Sequence, residues 1–148
     1  MTTKELEQKI YWQLAKQGTY LCFEVMMPND YRGAKQNERV DLLTYDTKEI
    51  WKFYELKISK SDFHSKAKKT FLGNYNYFVM PVELYEQVKD EIPNNIGCYV
   101  ADNFNCWSIK KAKKQDLQVD EDKLKNAFIQ SLSRQHEKYM RLTKNNKF

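Results

Sequence analysis

The spacing of apolar residues changes at Gly18, and this change constrains the fold more than any other feature of the sequence. Before Gly18, Leu6, Ile10 and Leu14 recur at helical spacing, which predicts a helix over residues 3–17 with Thr3 as its cap. After Gly18, three short apolar runs bounded by turn residues predict three strands, at residues 20–26, 39–45 and 50–58. The polar turn at 46–49 predicts that the last two form a hairpin.

Helices and strands are then predicted to alternate. The expected elements are a helix at 59–70 opened by Ser59 or Ser61, a strand at 75–80, a helix at 82–89, strands at 96–101 and 106–110, and a helix from the cap Asp120 to about 142. The strand at 106–110 is expected on the sheet edge. Four apolar residues are predicted on the buried side of the last helix: Leu124, Phe128, Ile129 and Leu132. This order predicts an α/β domain with a mixed central sheet flanked by helices.

The chain length fits one domain, residues 1–148, with a core at about 3–110 and a basic C-terminal helix at about 120–143. The net charge of +5 is uneven, because residues 104–148 carry +6 and residues 1–103 carry −1. Arg134, Lys138 and Arg141 form a basic stripe on the last helix that would suit the DNA backbone. A Lys-rich solvated surface explains the same charges equally well.

The three cysteines, Cys22, Cys98 and Cys106, lack the spacing of a zinc site or a disulfide framework. The first residues form no apolar signal segment, and no apolar run reaches the length that spans a membrane. A reduced, cytoplasmic setting without a membrane partner is the resulting expectation.

A charged pair in an apolar strand is the sequence feature that most directly predicts a catalytic site. In Phe53-Tyr54-Glu55-Leu56-Lys57, the acid and the amine are two residues apart and project from one face. Buried charges are costly unless they are paired or bind a metal. Asp41 lies in the partner strand of the predicted hairpin, also between apolar residues. Asp41, Glu55 and the Leu56 carbonyl are therefore predicted to bind Mg²⁺ or Mn²⁺, with Lys57 assisting an attacking water.

The acid-x-Lys string alone is uninformative, because it begins at four residues of this chain: Glu7, Asp46, Glu55 and Glu121. Only the string at Glu55 lies in an apolar strand, and only there does the preceding strand contain an Asp, Asp41, between apolar residues. The competing interpretation is an ordinary cross-strand Glu–Lys pair on an exposed edge.

Several segments together resemble a known family. They are Phe23-Glu24-Val25, Arg39-Val40-Asp41, Glu55-Leu56-Lys57-Ile58-Ser59, Ser61-Asp62-Phe63, Lys68, 77–81 and 92–102. With the predicted topology, they resemble the PD-(D/E)xK nuclease superfamily and, more narrowly, its MmcB-like DNA repair proteins, over roughly residues 21–102. The resemblance implies a restriction-endonuclease-like core of helix, three strands, helix and strand. It also implies a metal-dependent endonuclease with Asp41, Glu55 and Lys57 at its centre, acting in DNA repair or in mobile-element processing.

The same resemblance suggests that a glutamate of the first helix joins the metal site. Glu7 is the candidate, with Glu5 as the alternative, and either would equally suit a solvated helix start. Glu24 would reach the same cleft or pair with Arg39.

Ser59 and Asp62 are predicted to support the site, although Asp62 would also suit an ordinary helix start. Three lysines are predicted to contact DNA phosphates beside it: Lys66, Lys68 and Lys69. A homodimer would allow both strands to be cut. The main alternatives are a DNA-binding repair accessory protein that keeps the fold without cleaving, and a protein-interaction module.

Overall fold

The computed structural model describes residues 1–28, 38–65 and 71–144. Along the chain the elements are α1 (Thr3–Leu14), β1 (Thr19–Met26), β2 (Arg39–Asp46), β3 (Trp51–Leu56), α2 (Lys60–Phe63), β4 (Tyr75–Pro81), α3 (Val82–Val88), β5 (Gly97–Ala101), β6 (Cys106–Lys110) and α4 (Glu121–Thr143). A 3₁₀ turn, Lys89–Glu91, follows α3. This is the predicted order of helices and strands.

The six strands form one sheet in sequence order, from β1 to β6. β1, β2 and β3 are antiparallel, β3, β4 and β5 are parallel, and β6 is antiparallel to β5 at the edge. The predicted mixed α/β sheet flanked by helices is thereby confirmed. The three parallel strands end at one edge of the sheet, which is where open α/β sheets usually place their ligands.

Apolar side chains cover both faces of the sheet. Against α1 lie Leu42, Tyr54, Leu56 and Val79, which pack on Leu6 and Ile10 of the helix. Against the first half of α4 lie Cys22, Val25, Val40, Leu43, Trp51 and Phe53, which pack on Leu124 and Phe128. A third group surrounds α3, where Phe63 and Phe78 contact Leu84 and Val88. β2 and β3 are therefore held from both sides, which fixes the charged residues at their ends.

The first helix is shorter than predicted. Thr2, not Thr3, is its cap, because the Glu5 N–H donates to Thr2 Oγ1 (3.1 Å) and the Thr2 N–H donates to the Glu5 carboxylate (3.0 Å). The helix ends at Leu14 and not at 17, since the chain must turn at Gly18 (φ +86°) to enter β1. The Gly18 carbonyl there accepts the Thr47 N–H from the β2–β3 turn.

β3 ends at Leu56, two residues before the predicted end. The Lys57 N–H still donates to the Val79 carbonyl, but the Ile58 N–H donates to the Asp62 carboxylate and leaves the sheet. Ser59 caps α2 through its hydroxyl, which accepts the Asp62 N–H at 3.1 Å. Of the predicted helix at 59–70, only Lys60–Phe63 is helical within the described part, and residues 66–70 lie outside it.

The last helix confirms its predicted cap and corrects its predicted buried side. Asp120 accepts the Lys123 N–H at 3.0 Å. Ile129 and Leu132, predicted to be buried, are exposed. The buried residues of the helix form a stripe with helical spacing: Leu124, Ala127, Phe128 and Ser131. Ile129 and Leu132 lie next to this stripe and outside it.

None of the helices in the described ranges combines the length and the apolar composition needed to cross a membrane.

Candidate active site

The site begins where β2 and β3 separate. The last pair in their register joins Leu42 to Tyr54, and the next positions are Asp41 and Glu55. There Asp41 Oδ2 accepts the backbone N–H of Leu56 at 2.8 Å, so a side-chain carboxylate takes the place of a strand carbonyl. The separation opens a cleft at the end of the sheet, and the hydrogen bond fixes Asp41 at its entrance.

The cleft has a volume of about 310 Å³ and collects all the predicted catalytic and metal-binding residues. Its walls include Glu7, Glu24, Asp41, Glu55, Leu56, Lys57 and Asp62. The structure therefore brings Asp41, Glu55 and Lys57 to one place, as the hairpin argument predicted. Glu5, the alternative to Glu7, lies outside the cleft lining and serves the α1 cap.

A backbone kink places Glu24 in the cleft wall. Glu24 has a left-handed φ of +54°, which is unfavourable for a residue with a side chain. Its neighbours face opposite sides of the sheet, since Phe23 packs with the α1 cluster and Val25 with the α4 cluster. Glu24 and Arg39 both line the cleft without forming an ion pair in the described structure. Of the two interpretations of Glu24, the structure favours the cleft.

Lys57 is almost completely buried, with 5% of its surface exposed. Its Nζ lies 3.9 Å from Asp62 Oδ1. Asp62 is itself fixed, because its other oxygen accepts the Ile58 N–H at 3.1 Å and its own N–H donates to Ser59 Oγ. Ser59 and Asp62 thus hold a counter-charge beside the buried ammonium. Ser59 itself lines the neighbouring cavity and not the cleft.

The cleft is acidic although the chain carries a net charge of +5. Five carboxylates line it against two cations, a formal charge of −3: Glu7, Glu24, Asp41, Glu55 and Asp62 face Arg39 and Lys57. Burial raises the pKa of Glu7, and the nearby charges of Glu24 and Asp41 raise it further, while Lys4 opposes them. Crowded carboxylates of this kind are relieved by protonation or by a bound cation.

The donor atoms suit a hard divalent cation. Carboxylate oxygens and a backbone carbonyl are the ligands that Mg²⁺ and Mn²⁺ prefer. Within residues 1–28, 38–65 and 71–144, no three His, Cys, Asp or Glu side chains are grouped closely enough to hold a metal ion. The predicted ligands are two carboxylates, of Asp41 and Glu55, and the Leu56 carbonyl. The fit therefore depends on the donor chemistry and the negative charge of the cleft.

The predicted DNA-contacting residues fall into two groups. Lys66, Lys68 and Lys69 lie outside the described residues. Arg134, Lys138 and Arg141 are exposed on α4. The helix passes close to the cleft, because Gln135 Nε2 donates to the carbonyl of Phe23, a residue of the cleft wall, at 3.4 Å.

Two highly exposed aromatic residues received no role from the sequence. Phe104 is 88% exposed and Trp12 is 71% exposed. The signal that would have identified Phe104 is the run Asp102-Asn103-Phe104-Asn105, in which a large aromatic residue stands inside a polar turn. Trp12 has no comparable signal, because Ile10 and Leu14 on either side of it belong to the buried stripe of α1.

Fold and cleft together define an α/β protein with a mixed six-stranded sheet and an acidic cleft beside its central strands. No family profile matches the chain, and no curated protein matches it. Among solved structures, it resembles the "SPO1766 protein of unknown function" from Silicibacter pomeroyi, with a TM-score of 0.67 and 20% sequence identity. The alignment covers 95% of this chain and 89% of that chain. At this identity the likeness shows a shared fold.

Proposed function

We propose that this chain is a divalent-cation-dependent deoxyribonuclease with a restriction-endonuclease-like core of the PD-(D/E)xK type, related to the MmcB-like proteins. The observation that carries the proposal is the acidic cleft, in which Glu55 and Lys57 are each only 5% exposed. A DNA phosphate would be repelled by five carboxylates unless a cation stood between them. Burying an ammonium and a carboxylate lowers the free energy of unfolding, because both charges lose their hydration. The same buried charges can stabilise the charge that develops at a phosphate during cleavage.

Asp41 and Glu55, with the carbonyl of Leu56, would hold Mg²⁺ or Mn²⁺, and Glu7 or Glu24 would complete the ligand set. A divalent cation in such a site supplies Lewis acidity toward the phosphate and lowers the pKa of water. The chain contributes orientation. The Leu56 N–H holds the Asp41 carboxylate at 2.8 Å, so that its geometry is set before any ligand enters.

Lys57 would place its positive charge beside the scissile phosphate and orient the attacking water. The burial of Lys57 strengthens this interaction, because water screens charges poorly inside a cleft. Asp62 keeps the ammonium in position, and Ser59 keeps Asp62 in position. The basic stripe on α4 and the lysines at 66, 68 and 69 would bind the DNA backbone.

A cleavage assay with matched variants tests the proposal. Supercoiled, nicked and branched DNA are incubated with the protein in Mg²⁺, in Mn²⁺ and in EDTA. Cleavage is expected only with the metals, and it should be lost in Glu55→Ala and Lys57→Ala. Lys48→Ala is the control, since Asp46-x-Lys48 is the same string on an exposed turn.

The possible results separate the three candidate functions. Cleavage that survives both cleft substitutions would remove these residues from the mechanism. DNA binding without turnover, insensitive to both metals, would favour the accessory DNA-binding protein. No affinity for any DNA at moderate salt would favour a protein-interaction module.

A further inference from the structure

Two exposed aromatic side chains share a groove on the surface formed by α1 and the β5–β6 turn. Phe104 and Trp12 both line a groove of about 380 Å³ between α1 and the β5–β6 turn. Phe104 also lines a second cavity of about 570 Å³, whose wall includes Ile58 and Ser59, the residues directly after Lys57. The two cavities form a path from the end of β3, past Phe104, to Trp12.

Phe104 is presented by a rigid turn. Asp102 Oδ1 accepts the N–H groups of Phe104 (2.8 Å) and Asn105 (2.7 Å), and these bonds lower the pKa of the Asp102 carboxyl. Lys9 Nζ donates to the Asn103 carbonyl at 3.0 Å, which ties the turn to α1. Phe104 nevertheless remains 88% exposed. The backbone at Phe104 is thus held, and its exposed ring adds little to the stability of the fold while staying accessible to a flat partner.

Trp12 is also held in one orientation. Its indole N–H donates to Gln8 Oε1 at 3.2 Å, and its ring packs edge-on against Tyr11 with 5.0 Å between ring centroids. The indole plane is thus set by neighbours on the same helix, while 71% of the residue stays accessible.

The groove lining offers the kinds of contact that bind nucleobases. The same groove is also lined by Cys106, by three side-chain amides and by one amine: Gln8, Gln13, Asn105 and Lys9. Amides hydrogen-bond to base edges, and aromatic rings stack on base faces. The second cavity is lined by the charged residues Lys60, Glu83 and Asp102 and by apolar residues that include Ile58 and Leu84. The Asp102 carboxylate is already engaged by the N–H groups of the turn.

We propose that Phe104 and Trp12 form a stacking platform for unpaired bases of a single-stranded DNA segment that runs from the cleft. The inference rests on the proposed nuclease function for its choice of DNA, and it defines the substrate class as DNA with a single-stranded part. Stacking tolerates any base, so the platform would select strand structure and not sequence.

The platform is tested by binding alone, in EDTA, with a fluorescein-labelled oligo-dT 20-mer and a blunt duplex of equal length. Phe104→Ala and Trp12→Ala should each weaken oligo-dT binding roughly 5- to 100-fold and change duplex binding little. Phe104→Tyr should retain binding, whereas Phe104→Leu should lose it, because leucine keeps the apolar surface without a π-face. Tyr20→Ala is the control, a half-exposed aromatic residue of β1 that lines neither cavity.

Failure of this inference is distinguishable from failure of the nuclease proposal. If metal-dependent cleavage occurs but Phe104→Ala binds oligo-dT as the parent protein does, the platform is wrong and the nuclease stands. If nothing is cleaved and oligo-dT binding still depends on Phe104, the nuclease is wrong and the platform stands. If Phe104→Leu retains full affinity, or if Phe104→Ala only dissociates a protein dimer seen by sedimentation, the stacking assignment is overturned.

Discussion

The cleft and the second half of α4 both carry charges that were predicted to meet DNA, yet they hold them differently. Glu55 and Lys57 are each 5% exposed, whereas Arg134, Lys138 and Arg141 lie on the surface. Burying a charge costs several kcal/mol, while a solvated lysine costs almost nothing. A buried charge is therefore good evidence for a specific local function, whereas an exposed charge indicates only which sign of partner the surface would attract.

The two regions also differ in how their side chains are fixed. Asp41 is held by a backbone N–H and Asp62 by two local hydrogen bonds, so the cleft is organised without a ligand. On α4, Arg134 bonds to Ser131, and Arg141 approaches Glu137 at 3.6 Å in an exposed pair. Exposed pairs contribute at most about 1 kcal/mol, so the helix presents mobile charge and not a shaped site.

The largest expected effect is that of Lys57→Met, which removes the charge and keeps the side-chain volume. Cleavage should fall at least about 100-fold, because one positioned group contributes that much to the rate. The midpoint of thermal unfolding should stay the same or rise, since no ammonium has to be desolvated and Asp62, 39% exposed, remains solvated. Turnover kinetics and calorimetry measure the two effects.

Lys52→Met is the matched control for that change. Lys52 lies on β3, the strand that leads into Lys57, and is partly buried, with its Nζ 5.6 Å from the centre of the Tyr75 ring. Equal losses of cleavage in the two variants would contradict a special role for Lys57. A clear drop in the unfolding temperature of Lys57→Met would show instead that its pair with Asp62 serves the fold.

Asp41 allows the structural and chemical roles of the cleft to be separated. Asp41→Ala leaves the Leu56 N–H without its acceptor, which should cost about 1–3 kcal/mol of unfolding free energy. Asp41→Asn keeps an acceptor oxygen and should unfold close to the parent protein. Both should lose metal-dependent cleavage. Equal stability of the two variants would mean that water replaces the carboxylate at Leu56.

Most of the fold was predictable because its signals are local. Apolar runs bounded by turn residues indicated all six strands. Asp120 was predicted as a cap, and Ser59 was one of two predicted alternatives with Ser61, because capping depends on a few neighbouring atoms. One error was local, because Thr2 and not Thr3 caps the first helix. Two other errors arose where distant contacts decide. The first helix ends early because Gly18 contacts the β2–β3 turn. Ile129 and Leu132 are exposed because α4 packs through a slightly different stripe.

The cleft was predictable in composition and not in shape. Asp41, Glu55 and Lys57 stood out as charges in apolar strands, and all three line one cleft. The local sequence gives no sign that β2 separates from β3 at Asp41, or that Glu24 adopts a positive φ. These features depend on the register of three strands, and they decide which carboxylates lie close together.

The basic stripe should show a smaller and more uniform effect. Replacing Lys138 and Arg141 with Gln should weaken binding to all DNA sequences alike and reduce the slope of log affinity against log salt by up to about 2. The unfolding temperature should not change, because both side chains are exposed. A double Gln variant of Lys48 and Lys89, exposed lysines elsewhere, controls for net charge. An unchanged slope would show that the stripe is only solvated.

The smallest expected effect tests whether the cleft is under electrostatic strain. Because burial and neighbouring carboxylates raise the pKa of Glu7 above its ordinary value of 4.5, the folded chain binds this proton more tightly than the unfolded chain does. The free energy of unfolding therefore decreases as the pH rises from about 4.5 through the raised pKa of Glu7. Glu7→Gln should increase the unfolding temperature at pH 7 by less than about 2 °C, and the gain should vanish well below pH 4.5.

Glu5→Gln is the control for Glu7→Gln, because Glu5 belongs to the same helix turn but serves the cap, and glutamine can keep that hydrogen bond. Glu5→Gln should show no gain at pH 7. Adding Mn²⁺ sharpens the test, since a cation that relieves the repulsion should stabilise the parent protein more than Glu7→Gln. The increase in unfolding temperature could also persist at low pH, or Glu5→Gln could show the same increase. Either result would assign the effect to helix propensity and would contradict electrostatic strain in the cleft.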